Sequence, residues 1–239
     1  MSATTEEAVL GPTTGRVGAG DVLDKVAGSI EQAVADVGDG CSIMVGGFGG
    51  PGLPDQLLRA MIDNRPRRLH LICNNADFGG VAAYGGLRKI TCSYPVGPTA
   101  QAVLEAVERG EAELEIVPQG TLAERIRAGG AGLGGVLTPT GVGAEFGAGY
   151  EVIERDGRQY LLAPPLCADF AFVHAAAADR WGNLVYRHAA RNFNPIMAMA
   201  GGVTIAEVER LVEPGDLDPD LVHTPGVFVD RVVQRVAES

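Results

Sequence analysis

A chain of 239 residues with 46% hydrophobic content can bury one substantial core, as a single large α/β domain or two tightly joined halves, without room for a second independent domain. Its 30 acidic against 19 basic residues give a formal charge of −11, which argues against nucleic acid or anionic membrane as a partner, since either needs a basic face. No apolar stretch reaches the about 18 residues of a membrane span, residues 1–20 lack the basic start and apolar core of a secretory signal, and the cytoplasm is the expected location.

The Ser/Thr/Gly/Pro-rich residues 1–20 are expected to form a mobile tail ahead of one domain over residues 21–239. Asp21 can cap a helix in which Val22, Leu23, Val26, Ile30, Val34 and Val37 recur at helical spacing before Gly38. Strands are expected at 42–45, 69–73, 90–94 and 114–117, separated by helices near 55–64 and 99–109. This alternation calls for an α/β fold with a mostly parallel sheet and helices on both faces. In the second half, Asp156-Gly157 between 151–154 and 159–162 reads as a hairpin turn, and 170–175 and 203–208 read as additional β segments.

The segment most informative about function follows the first strand. Ile43, Met44 and Val45 run into Gly46, Gly47, Phe48, Gly49, Gly50, Pro51 and Gly52, and Pro54 stands where a missing N–H costs a helix nothing. Such strand-to-helix loops present backbone N–H groups to anions or carbonyl oxygens. Gly47 to Gly52 also spells G-x-G-x-x-G, the dinucleotide fingerprint, but the next strand ends in Asn74-Asn75 where an acidic residue would hold a ribose. A phosphate-binding P-loop is excluded, because Leu53-Pro54 replaces its Lys-Ser/Thr. Pro118-Gln119-Gly120-Thr121 repeats the arrangement after the strand at 114–117, with Thr121 placed to cap a helix containing Arg125. The Gln119 amide can donate to and accept from a carboxylate or thioester carbonyl, although on residues alone a turn-stabilising glutamine is the simpler account.

Cys41, Cys73, Cys92 and Cys167 form no C-x-x-C pair and read as buried free thiols. With His70, His174, His188 and His223 scattered as well, no metal site is expected. Trp181 and Phe193 read as packing groups, and Gly129 to Gly135 as a further loop of close approach. Glu105, Glu108, Glu111, Glu113 and Glu115 read as solvated surface, and Glu124 is the least bland of the acidic residues because it follows Gln119-Gly120-Thr121.

The spacing D-G-x-x-I-M-V-G-G-F-x-x-x-G-x-P from Asp39 to Pro54 resembles the signature of the A (alpha) chain type of family I CoA-transferases, the 3-oxoacid CoA-transferases. Asn74-Asn75-Ala76, residues 118–127, Gly129-Gly130-Ala131-Gly132, Thr138-Pro139-Thr140-Gly141 and Ala190-Arg191-Asn192-Phe193 are similar to that family's later blocks, in its order. Asp77 departs from the pattern, standing where the family carries a glycine. The resemblance implies that the glycine loop, Asn74, Asn75, Gly120 and Thr121 contact CoA and substrate with Gln119 in support. It implies coenzyme A as substrate carrier and no permanently bound cofactor. The family's nucleophilic glutamate lies in a Ser-Glu-Asn-Gly block of the B (beta) subunit, which this chain lacks, so a B partner in a heterotetramer or larger assembly is implied. Moving CoA between carboxylates without hydrolysis needs that carboxylate nucleophile. Residues 179–184 and 195–200 look most like the 3-oxoadipate enzymes of aromatic catabolism, with succinyl-CoA as donor and acetoacetate as the next acceptor. Three other readings stay open: an acyl-CoA hydrolase of the same superfamily, a dehydrogenase through G-x-G-x-x-G, and a noncatalytic acyl-CoA or sugar-phosphate binding module.

Overall fold

The computed structural model describes residues 23–236; the expected tail, together with Asp21 and Val22 of the first expected helix, lies outside the described residues. In chain order the elements are α1 (Ile30–Ala33), β1 (Ser42–Val45), α2 (Asp55–Asn64), β2 (Leu69–Asn75), α3 (Gly79–Ala83), β3 (Leu87–Tyr94), α4 (Ala100–Glu108), β4 (Glu113–Ile116) and α5 (Gln119–Gly130). They continue as β5 (Val136–Thr138), β6 (Glu151–Arg155), β7 (Arg158–Ala163), β8 (Ala168–Asp179), β9 (Leu184–Val185), α6 (Asn194–Ala200), β10 (Gly201–Val212) and β11 (Arg231–Gln234).

The main sheet runs β11-β10-β8-β1-β2-β3-β4, with β9 paired to β8. Every pairing along that path is parallel, and only β9 runs antiparallel to its neighbour. One register line crosses it through Ile205, Phe172, Val45, Cys73, Cys92 and Ile116. Successive strand residues face opposite sides, so the sheet separates two cores. Ile43 and Val45 pack in one with Leu57, Met61, Val81 and Val103 from α2, α3 and α4. Met44 packs in the other with Leu122, Ile126 and Met197 from α5 and α6. Leu57 and Met61 are fully buried, and each such side chain contributes about 1.5–3 kcal/mol relative to exposure. The expected hairpin at Asp156-Gly157 joins β6 to β7, which with β5 form a separate three-stranded antiparallel sheet.

Several expectations need correction. The first helix spans only Ile30–Ala33 and is capped by Ser29, whose side chain accepts from Gln32 N–H. Val26 instead makes a parallel bridge to Val232, so the apolar spacing over 22–37 is shared between an extended segment and a helix. Helix α5 starts at Gln119 after Pro118, which puts Thr121 inside the first turn, where it has no preceding position from which to cap. Gly129 and Gly130 close α5 and lie against Leu166 and Met199, packing contacts within the chain. Cys73 and Cys92 are buried, but Cys167 is exposed because it lies in the connection between β7 and β8 and not in a strand. Phe193 is buried, whereas Trp181 is 44% exposed in the turn between β8 and β9.

Glu115 is not a solvated surface group. It accepts from Lys89 at 2.6 Å, from Arg125 at 3.0 Å and from the Thr91 hydroxyl at 3.1 Å. Burial pushes its carboxyl up, but the bonds and charges of Lys89 and Arg125 more than offset this and bring it to about 2. Arg125 also donates to Pro164 O at 2.9 Å, so the buried Arg125 with half-buried Glu115 fixes α5 against both the sheet and the β7–β8 connection.

Candidate active site

β1, β2, β3 and β4 all end within two residues of the register line, and β1, β2 and β4 there release the three segments singled out in the sequence. Ligands in open α/β sheets bind at this carboxyl edge. Gln119 Nε2 donates to Asn74 Oδ1 at 2.7 Å, Asn74 Nδ2 donates to Asn75 Oδ1 at 2.6 Å, and Gly49 N–H donates to the same Asn75 oxygen at 3.0 Å. One amide relay therefore joins α5, the end of β2 and the tip of the glycine loop. Asn74 is 1% exposed, so its two bonds orient it from below, while Gln119 keeps its carbonyl oxygen free among the described residues.

The loop's N–H groups divide into two sets. Gly46 N–H donates to Phe172 O at 2.9 Å, Phe48 N–H to Pro51 O at 3.1 Å and Leu53 N–H to Gly50 O at 3.3 Å, so these build the turn. With Gly49 held by Asn75, the N–H groups of Gly47, Gly50 and Gly52 are left without an acceptor among the described residues. Gly47 has φ +110, a left-handed backbone that a side chain rarely adopts. The first-turn N–H groups of α5 at Gln119, Gly120 and Thr121 have no intrahelical acceptor either. The Thr121 hydroxyl is buried without a partner among the described residues. A groove of about 320 Å³ lies beside the start of α5, lined by Phe48, Gln119, Gly120, Arg127, Asn192 and Phe193, and a separate small cavity is lined by Gly46, Gly47, Gly49, Asn74 and Asn75. The groove's rim carries an exposed aromatic ring, Phe48, at 46% exposure, and Arg127, which pairs with Glu124 at 3.1 Å. Arg187 and Arg191, both exposed, shortly precede Asn192 in the chain.

Three residues that support this arrangement carry no role in the sequence reading. Asn194, 0% exposed at the start of α6, accepts from His174 N–H at 3.0 Å and donates to Gly52 O at 3.0 Å and Ala190 O at 2.8 Å. A Cβ at Gly46 would come within 1.8 Å of its Oδ1, and one at Gly52 within 2.7 Å of its Nδ2, so these two glycines admit the asparagine. Its sequence signal was its place beside Phe193 at the end of a motif block. Asp77 Oδ1 accepts from the Thr99 N–H and hydroxyl, both at 2.6 Å, and so ties the end of β2 to the turn before α4. Glu207 is buried in β10, and the signal was an acidic residue inside the apolar run 203–208. Among the described residues no group of His, Cys, Asp and Glu is arranged to hold a metal ion, and no helix is long and apolar enough to cross a membrane.

A model of the family described as coenzyme A transferase matches residues 28–235. The chain is 49% identical over 217 residues to the A chain type of 3-oxoadipate CoA-transferase from Pseudomonas putida, covering 89% of this chain and 94% of that protein. It is 45% identical over 234 residues to the corresponding chain of a probable succinyl-CoA:3-ketoacid coenzyme A transferase from Mycobacterium bovis, covering 88% and 94%. Among solved structures, an acyl-CoA transferase from E. coli O157:H7 in a thioester complex with CoA superimposes with a TM-score of 0.80 at 23% identity. That alignment takes in 90% of this chain and 48% of the other, so the chain spans about half of that transferase, and the likeness shows a common fold.

Proposed function

The chain belongs to the coenzyme A transferase family, and from that premise we propose that residues 21–239 form the alpha-type domain of a heteromeric, cytoplasmic 3-oxoacid CoA-transferase. Its donor is succinyl-CoA and its acceptor 3-oxoadipate, with acetoacetate next, which would place it in aromatic catabolism. The order of acceptors is supported by relatives named for 3-oxoadipate and for 3-ketoacids at 49% and 45% identity. The observation that carries the reading is the amide relay from Gln119 through Asn74 and Asn75 to Gly49, which ties three distant motif segments to one another.

In the proposed reaction a glutamate on the beta partner attacks the thioester carbonyl, forming an acyl-glutamyl anhydride and releasing the CoA thiolate. The thiolate then attacks the glutamyl carbonyl, the donor acid leaves as its carboxylate, and a glutamyl-CoA thioester remains. The acceptor carboxylate reverses both steps. Negative charge develops on a carbonyl oxygen each time, and the free N–H groups of Gly47, Gly50 and Gly52 are the donors this chain offers to it. Gln119 and the asparagines hold those donors in place, and the groove walls exclude the water that would turn transfer into hydrolysis.

The test is to incubate the full chain with its beta partner and succinyl-CoA without acceptor, then map the covalent adduct by mass spectrometry. The proposal expects glutamyl-CoA on the beta partner, no transfer by either chain alone, and transfer to 3-oxoadipate in the complex. An adduct on Glu124 or any other residue of this chain would make it the catalytic half; free succinate and CoA as the only products would make the complex a hydrolase.

A further inference from the structure

Glu207 lies two residues beyond Ile205 in the middle of β10, opposite His174 of β8. It is 0% exposed, yet it belongs to no part of the groove. Its Oε2 accepts from the N–H groups of Gln56 and Leu57, both at 2.9 Å. These are two of the otherwise unpaired amides in the first turn of α2, whose preceding residue, Pro54, offers no side-chain cap. Arg235 reaches Glu207 Oε1 at 3.0 Å and Asp55 at 2.8 Å, and the Gln56 side chain exchanges bonds with Val236 N–H and O at 2.9 and 2.8 Å. The helix start is thereby bolted to the middle of β10 and to the residues just after β11, and the glycine loop runs directly into that start.

We propose that Glu207 is a positioning residue for transfer: by capping α2 from another strand it fixes the far end of the glycine loop, and with it the direction of the free loop N–H groups. The near end is fixed separately, by Gly46 N–H on Phe172 O. This inference rests on the transferase reading for its catalytic consequence, but the anchoring itself does not.

Glu207 is held there at a cost to the fold. Burial pushes its carboxyl up to about 7 against the two amides and Arg235, which favour the anion. The other ionisable groups facing it are Asp55 on α2, His174 opposite it on β8 and Glu209 further along β10, whose carboxylate lies 3.8 Å from His174 Nε2. Replacing a group that acts through geometry separates stability from activity, whereas replacing a purely structural one changes both together.

The experiment compares Glu207→Gln, which keeps the shape without the charge, with Glu207→Asp, which keeps the charge but withdraws it by one methylene. Both are made in the full chain and assembled with the beta partner. Hydrogen exchange at residues 46–57 should speed up in both variants while the rest of the sheet is unchanged. Because a displacement near 1 Å in a catalytic frame can cost about 100-fold, kcat/KM per folded complex should fall about 10- to 100-fold in Glu207→Asp. At pH 8, Glu207→Gln should melt no lower than the unmodified complex and still transfer more slowly. Unchanged exchange in the loop, or an activity loss that only tracks lost folded protein, would overturn the proposal, and so would failure of both variants to fold. If the unmodified complex transfers no CoA, the transferase reading fails while the exchange result still decides the anchoring.

Discussion

Gly46→Ala isolates the fit between the glycine loop and Asn194. Gly46 has no left-handed φ, so alanine is acceptable to the backbone and the whole effect is steric. The new Cβ would stand 1.8 Å from Asn194 Oδ1 and 2.7 Å from its Cγ. Asn194 must then leave its place and give up its bonds to His174, Gly52 and Ala190. At about 1 kcal/mol for each buried bond the loss is about 3 kcal/mol, which for a chain of this length lowers Tm by roughly 6–12 °C. Asn194→Ala should cost a similar amount by losing the same bonds. With the amide gone there is room for the methyl group, so Gly46→Ala in the Asn194→Ala background should add little. The double-mutant cycle, read by urea unfolding of the full chain, should show a coupling of about 2–3 kcal/mol. Additive losses, or a Gly46→Ala variant as stable as the parent, would refute the reasoning.

Other outcomes follow from the same geometry. Gly47→Val forces a side chain onto a backbone at φ +110 with Leu53 backbone atoms 3.2 Å from the new Cβ, and transfer should be strongly impaired in a complex that still assembles; normal turnover would remove the loop from the mechanism. Gln119→Ala breaks the relay at its first bond and should lower kcat/KM by roughly 1–3 kcal/mol without loss of assembly, whereas unchanged kinetics would make Gln119 a turn residue only. Glu115 has a folded pKa of about 2 against an ordinary 4.5, so its contribution is complete above pH 4.5 and is lost as pH falls through about 2. Allowing for its partial exposure this is roughly 1–2 kcal/mol. Glu115→Gln should therefore flatten the acid limb of a stability profile, and an unchanged limb would show that Lys89 and Arg125 do not act through this carboxylate.

Whatever depends on neighbours along the chain was determined by the sequence itself. Ile43-Met44-Val45 made a central strand by apolar character, Pro54 marked the start of α2, and Asp156-Gly157 made a hairpin, each through preferences acting over a few residues. The motif spacing likewise marked the glycine loop, Asn74-Asn75 and Gln119, which the fold joins in one hydrogen-bonded relay. Tertiary structure decided the rest, because the deciding partners lie far away in the chain. The spacing of Val22, Val26 and Ile30 suits a helix, but Val26 is claimed by Val232 across the end of the sheet. Of the loop's N–H groups, those of Phe48 and Gly49 are consumed by Pro51 and Asn75 and those of Gly47, Gly50 and Gly52 are not, a division no glycine count reveals. Asn194 and Glu207 meet the loop and α2 from about 140 to 150 positions away. A buried amide or carboxylate has its value set by the groups that satisfy it, and those groups become neighbours only when β8 and β10 have packed beside β1.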